Sequence, residues 1–384
     1  MKMVFSDSTT WMVRFPRFGM VCEDYTDEKV AMEVSALNLI RKTTTIPVPI
    51  VRAWGPAVSN SLGLGPFIIM DFINGVSLSS LLQDPNAERP SRVMRDDISD
   101  SDIEVIYRHL LSLQTESQSA IPPRPLTFKA QTILQDGGVD TFGDRAKGFA
   151  TTTDFYDAQN KYVAFKVLES LIPEFINAKY DRCKFKLICD DLGLANLIVR
   201  GTEDLTIVGL VDLEWSYIGP AQLFGSAPWW LLQDRPVNST WDCEGEELPK
   251  IGSRYLRYLE IYIYILEEEE SKIQGYEERE LSSLVKWSQN SGAMWLHMLL
   301  LSGFNDEHSF PFTQLRAHLG ATEWIRRGME FDSPNELEEF AARKVREMDM
   351  YEGALEEVEK SKALVDSGDM TKEKFIANHE QCYL

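Results

Sequence analysis

Apolar and polar positions alternate at the start of the chain and then recur at helical spacing. Met3–Ser6 and Trp11–Phe15 are short runs of strand-forming residues. The polar stretch Asp7–Thr10 lies between them, which predicts a hairpin. Side chains alternate across a strand, so Trp11, Val13 and Phe15 share one face and Met12 and Arg14 the other. Val30, Val34, Leu37 and Ile40 recur every three or four positions and predict a helix over Thr26–Lys42, capped by Thr26 or Asp27. Ile46-Pro47-Val48-Pro49 stops it, because the residue before a proline is pushed out of the helical region. Val51–Trp54 and Phe67–Ile73 read as two further strands. The second is apolar on both faces and is expected to be buried, and Asn74-Gly75 ends it with a turn.

From about residue 76 the pattern turns helical. Ser77–Leu82 starts a short helix, and the acidic, polar stretch Asp84–Asp102 reads as an exposed loop. Ile103, Ile106, Leu110 and Leu113 form an amphipathic helix over Ile103–Leu113. Residues 117–155 read as an irregular insert, and Asp157–Ile176 as another helix. Two strands follow, around Leu197–Val199 and Thr206–Val211. Leu256–Glu268, Glu277–Leu301 and Pro334–Lys362 finish the chain as helices. Ser333, Pro334 and Glu336 spell the start of the last one as a capping box. The expected class is α+β with two lobes. Residues 1–75 form a small antiparallel β-sheet lobe with one helix, residues 76–384 a larger, mostly helical lobe, and a cleft separates them.

Composition narrows the function. A length of 384 residues suits one large two-lobed fold or two to three domains. Acidic residues number 60 against 39 basic ones, a formal net charge of −21. A field of that sign repels phosphate backbones, so nucleic acid is not an expected partner, while a cationic small molecule is mildly favoured. Five cysteines without a CxxC pair suggest neither a disulfide framework nor a zinc ribbon; a reducing, cytoplasmic setting fits best. The N-terminus carries no apolar signal core, and no apolar run approaches the length of a membrane span, so no membrane partner is expected. Five scattered histidines show no zinc-ligand spacing, and Ser226 lacks the setting of a hydrolase nucleophile.

The informative stretch is Leu187–Val199. It holds Asp191-Leu192-Gly193-Leu194-Ala195-Asn196 leading into an apolar strand, and Val211-Asp212-Leu213-Glu214 closes the next apolar run. This arrangement resembles the catalytic loop and metal-binding segment of the protein-kinase-like phosphotransferases. Such transfer needs a carboxylate near the accepting hydroxyl and oxygen ligands for magnesium, a hard ion. By that resemblance Asp191 accepts or orients the hydroxyl proton, Asn196 holds one metal, and Asp212 bridges metal and nucleotide phosphates. Glu214 helps directly or through water.

Longer phrases point the same way. Glu33–Leu37 with Ile40–Pro49, Gly63–Leu78, Cys189–Asn196, Gly209–Trp215 and Pro228–Leu232 resemble the aminoglycoside phosphotransferase / choline kinase family, and its fungal branch in particular. The likeness runs from about residue 11 to about 330. It implies a kinase-like fold with a five-stranded small lobe, ATP and Mg2+ as cofactors, and a small-molecule hydroxyl as acceptor. It places Arg14 as the cation that grips nucleotide phosphates and Glu33 as its ion-pair partner. It makes Met70, Asp71, Phe72 and Ile73 the hinge whose backbone meets adenine.

The sequence also departs from the family. The first strand and glycine-containing phosphate loop are not found before Trp11, so the chain is expected to begin at the family's second strand. Cys189 stands where a His is usual and Asp190 where a Gly is usual, and Gly193-Leu194-Ala195 carries no basic residue. These departures keep an alternative open: a catalytically impaired, kinase-like pseudoenzyme serving as a binding or scaffold module. Trp215, Tyr217, Trp229 and Trp230 read as packing residues or as a cage for a cationic acceptor. Glu267–Glu270 reads as a solvated helix end.

Overall fold

The computed structural model of the chain describes residues 1–16, 26–86, 94–111, 154–180, 186–189, 192–225, 250–272, 279–302 and 309–379. The described residues gather into two compact units. Those within 1–130, 171–304 and 308–319 form the first, and those within 131–170 and 320–384 the second.

The first unit opens with a sheet of four antiparallel strands, β1 (Lys2–Val4), β2 (Thr10–Arg14), β3 (Val51–Gly55) and β4 (Phe67–Asp71), in the order β1-β2-β4-β3. The hairpin β1–β2 turns where the polar stretch predicts it. The Asp7 carboxylate accepts the Thr9 N–H at 2.9 Å, and Ser8 takes a φ of 68°. Helix α1 (Thr26–Thr43) lies on one face of the sheet. Val30 and Val34 of the helix pack with Ile68 and Met70 of β4, and Met12 and Val51 close the cluster. Burying each of these larger side chains contributes about 1.5–3 kcal/mol. Met12 pairs with Met70 and Arg14 with Ile68, so Arg14 belongs to the helix-facing side of the sheet.

Among the described residues the sheet has four strands. Two expectations are corrected. Strand β4 ends at Asp71, and only its Ile68/Met70 face is buried, because only one face is covered by a helix. Asp27 does not act as a helix cap; its carboxylate accepts the Ala57 N–H at 2.7 Å.

Gly75 carries the chain out of this sheet at a φ of 155°. A Cβ there would lie 2.4 Å from the Val199 carbonyl oxygen, so only glycine lets the two backbones come this close. Strand β5 (Val76–Ser77) follows, with α2 (Leu78–Leu82), α3 (Asp100–Leu111) and α4 (Phe155–Leu171) after it. Strands β6 (Lys186–Cys189), β7 (Leu197–Val199), β8 (Ile207–Leu210) and β9 (Ser216–Gly219) make a three-stranded sheet, β5-β7-β8, and a two-stranded one, β6-β9. Helices α5 (Ala221–Phe224), α6 (Lys250–Ser271), α7 (Glu280–Ser291), α8 (Ala293–Ser302) and α9 (Phe310–Leu319) complete the first unit. Tyr107 of α3 meets Tyr262 of α6 edge-on at 5.7 Å between ring centroids.

The predicted helix over Glu277–Leu301 is two helices. Gly292 breaks it at a φ of 80°, where a Cβ would lie 2.7 Å from the His318 ring. Residues 277 and 278 of that expectation, with Leu113 and the insert 117–153, lie outside the described residues.

In the second unit, α4 packs with α10 (Ala321–Glu330) and α11 (Pro334–Ser367), followed by α12 (Lys372–His379). Tyr162 stacks on Phe340 at 4.7 Å, and Val163 reaches Gly328. Helix α4 stops at Leu171, short of Ile176, because Pro173 opens a 3₁₀ turn. Helix α11 starts at Pro334 as its sequence predicts, but Ser333 makes no side-chain cap bond, so the capping box does not form. No helix among the described residues is long and apolar enough to cross a membrane.

The acidic run Glu267–Glu270 is not a solvated end. Glu270 is buried, and its carboxylate accepts the N–H groups of Leu281 at 2.6 Å and Ser282 at 3.1 Å, together with the Ser282 hydroxyl. It thereby caps the N-terminus of α7, where unpaired donors and the helix dipole favour an anion. Glu270→Ala removes a charged partner from these buried donors, and a loss of about 2–3 kcal/mol is expected. Urea denaturation checks it; an unchanged midpoint contradicts the cap.

His297 on α8 is also buried. Gln222 donates to the Phe175 carbonyl at 2.6 Å and accepts the Asn177 N–H at 2.8 Å, which fixes its amide orientation. Its nitrogen lies 3.2 Å from His297 Nε2, so Nε2 accepts and the ring proton sits on Nδ1, which has no partner among the described residues. Burial lowers the His297 pKa to about 4. Between pH 6.5 and 4 the unfolded chain holds a proton that the folded chain refuses. Stability is therefore present above about 6.5 and is lost as pH falls, by roughly 1.4 kcal/mol per unit. His297→Leu is expected to flatten this acid limb in denaturation curves recorded from pH 7 to 4; an unchanged slope contradicts the assignment.

Candidate functional site

Four short elements of the first unit bring the site together. Arg14 ends β2 on the face that looks at α1, and Glu33 stands about two turns into α1 on the side that looks back. The other contributors sit at one end of the β7–β8 pair. Leu197 is opposite Leu210, and the Val211 N–H donates to the Asn196 carbonyl at 3.0 Å. Asn196, which ends the 3₁₀ turn before β7, and Asp212, just past β8, therefore share that end of the hairpin. Asp212 adopts a φ of 62°, a left-handed conformation that costs an L-residue about 1–2 kcal/mol and persists only where its surroundings hold it.

One guanidinium ties these elements together. Arg14 donates to Glu33 Oε1 at 2.6 Å, to Asp212 Oδ1 at 2.6 Å and to Glu214 Oε2 at 3.3 Å. Burial works against the Arg14 charge, but Glu33, Asp212 and Glu214 outweigh it and hold its pKa above the ordinary value. Glu33 is only 4% exposed. Burial pushes its carboxyl up to about 7; Arg14 and Lys29 pull it down, and Asp212 and Glu214 add to the rise.

Lys29 is the residue that the sequence reading missed. It is 6% exposed, its Nζ lies 3.2 Å from Glu214 Oε2, and it sits 4.1 Å from the centroid of the Trp215 ring. The available signal was its position four residues before Glu33, which puts both on one helix face. Trp215 is thus covered by a cation of the chain itself. A recess lined by Arg14, Phe15, Lys29, Glu33, Ile68 and Glu214 opens at this cluster.

Asp191, the expected base, lies outside the described residues together with Asp190, Ser226, Trp229 and Trp230. Met70 is buried in the core. Asp71 forms a two-point ion pair with Arg52 at 2.6 and 2.9 Å. The sheet already uses two of the hinge donors: the Asp71 N–H donates to Ile50 at 3.0 Å and the Phe72 N–H to Thr10 at 3.1 Å. The Phe72 ring lies 4.0 Å beneath the Lys2 ammonium, and Ile73 packs against Gly209 of β8. Cys189 of β6 accepts a hydrogen bond from the Ser216 hydroxyl of β9 at 3.3 Å, so the thiol ties the two strands.

The donor chemistry at the hairpin end suits a hard divalent ion: an amide oxygen from Asn196 and carboxylates from Asp212 and Glu214. Asp212 is 42% exposed, so its carboxylate is open to solvent on one side. Among the described residues no three His, Cys, Asp or Glu side chains converge as a metal site, and Asp212 and Glu214 both contact Arg14.

No family model and no curated protein matches the chain. Among solved structures it is similar to an aminoglycoside phosphotransferase-like protein of Ralstonia eutropha JMP134, at 14% identity over 91% of this chain and 88% of that one, with a TM-score of 0.41. It is also similar to a microcompartment-associated aminopropanol kinase, at 17% identity over 84% of this chain and 82% of that one, with a TM-score of 0.39.

Proposed function

We propose that this chain is a kinase-like phosphotransferase that uses ATP and Mg2+ to phosphorylate a hydroxyl of a small molecule. The observation that supports it most is the single guanidinium of Arg14. It joins Glu33, 19 residues along the chain, to Asp212, 198 residues along. A cation held from one side by a buried carboxylate and facing the exposed Asp212 carboxylate and the half-buried Glu214 on the other is suited to gripping nucleotide phosphates. In this reading Glu33 sets the direction of Arg14, and the backbone at Met70–Ile73 borders the adenine. Asn196, Asp212 and Glu214 would hold the magnesium, which when bound neutralises charge on the phosphates. Asp191 orients the acceptor hydroxyl and takes its proton. Holding Asn196 and Asp212 beside the ends of β7 and β8 limits their wander, which transfer by positioning requires.

The net charge of −21 favours a cationic acceptor over an anionic one. A cytoplasmic setting and the division into a small lobe, 1–75, and a helical lobe, 76–384, belong to the same reading. The test is transfer of labelled γ-phosphate from ATP to a panel of amino alcohols, aminoglycosides and neutral sugars. Magnesium-dependent labelling of one class, lost in Asp191→Asn, is expected. A second reading rests on Cys189, which fastens β6 to β9 through Ser216 where the resembling family has a His. In that reading the site binds magnesium and nucleotide without transfer, and the module acts as a scaffold.

A further inference from the structure

Lys29 has no part in the mechanism outlined above, yet its placement is more constrained than that of an ordinary surface lysine. A lysine is seldom buried this far unless its ammonium is paired. Here it is paired twice, with Glu214 Oε2 at 3.2 Å and with the face of Trp215 at 4.1 Å. Both partners are on the segment that follows β8, directly after Asp212. Helix α1 thus sends two opposite charges toward the site: Glu33 to Arg14, and one turn earlier Lys29 to Glu214. Arg14 closes the circuit through its own contacts with Asp212 and Glu214.

The backbone shows why such a tether is needed. Asp212 is held at a φ of 62°, a conformation that persists where its surroundings hold it. On the upstream side the Val211 N–H is bonded to the Asn196 carbonyl. On the downstream side the Ser216 N–H is bonded to the Leu213 carbonyl at 3.0 Å, Arg14 and Lys29 both hold Glu214, and Lys29 covers Trp215.

We propose that Lys29 is a positioning residue that anchors the Asp212–Trp215 segment to α1 and so sets the aim of the magnesium-binding oxygens. The proposal rests on the phosphotransfer reading. It also gives the site a second cation beside Arg14, although Gly193-Leu194-Ala195 offers none.

The experiment is titration of ATP, with magnesium and with EDTA, into the full chain and its variants. Lys29→Met keeps the length of the side chain and removes the charge. It is expected to raise the magnesium concentration needed for half-maximal ATP binding by about tenfold, the usual scale for support behind metal ligands. ATP affinity in EDTA should stay within about twofold in the same variant, a difference that a merely structural role would not produce. Lys29→Arg preserves both contacts and should recover most of the loss. Trp215→Leu, which leaves the ion pair in place, should show a smaller shift of the same kind and serves if Lys29→Met does not fold. Equal weakening with and without magnesium, or no shift in either variant, overturns the role of Lys29 while the wild-type reading stands. A wild-type chain whose ATP binding ignores magnesium overturns the phosphotransfer reading, and this role with it.

Discussion

Arg14→Met is expected to lower folding stability by about 3 kcal/mol at pH 8, because it strips the cation from a buried carboxylate. Glu33 is 4% exposed and shares its surroundings with Asp212 and Glu214. Without the guanidinium its carboxyl is pushed higher still, so the folded state must either keep a proton or bury an unpaired charge. The loss should therefore be smaller at pH 5.5, where Glu33 is protonated in both proteins. In the wild type the carboxyl already titrates near 7 against the ordinary value of 4.5. Between those values the folded chain keeps a proton that the unfolded chain has released, so Glu33 costs stability as pH rises through this window. That slope is opposite to the one His297 imposes, so each must be read from its own variant. Replacing both members, Arg14→Met with Glu33→Leu, should recover most of the loss, since no charge is then left buried. Urea denaturation at the two pH values checks this; a loss that is the same at both would contradict the buried pair.

Asp212→Asn should abolish the magnesium-dependent part of nucleotide affinity, a loss of at least about tenfold or roughly 1.4 kcal/mol, and leave the fold almost untouched. Two features set this combination. The Asp212–Arg14 pair is 42% exposed on the Asp212 side, and pairs in that setting contribute only about 0–1 kcal/mol. Asparagine also tolerates the left-handed backbone, whereas Asp212→Val, with a branched Cβ at a φ of 62°, should cost about 1–2 kcal/mol. Thermal melts beside ATP titrations separate the two variants. If Asp212→Asn binds magnesium-ATP as well as the wild type does, this carboxylate is not a ligand.

The parts of the fold that the sequence makes legible are those decided locally. A polar turn between two alternating runs becomes β1–β2, and the helical spacing of Val30, Val34, Leu37 and Ile40 becomes α1. Arg14 and Glu33 are legible as a pair only through the family resemblance, and they meet at 2.6 Å where the β2 face looks at α1. Strands β6 and β9 escape notice because four residues hold too little periodicity to tell a strand from a loop. Helices α7 and α8 read as one because their apolar spacing runs on through Gly292, and nothing but its φ breaks it. Glu270 looks like one of four solvated charges, since composition says nothing about a helix start from a distant turn docking on it. Lys29 escapes for the same reason: a lysine in the first turns of an amphipathic helix reads as solvent-facing, and its two partners lie far along the chain.

The most direct test of the central claim, that Arg14, Glu33, Asp212 and Glu214 assemble a magnesium–nucleotide site, is calorimetric titration of ATP into the wild-type chain with magnesium and with EDTA. The site described here predicts binding at least about tenfold tighter with the metal present, as hard-oxygen donors beside a phosphate grip require. Equal affinity under both conditions, or no binding under either, would contradict it.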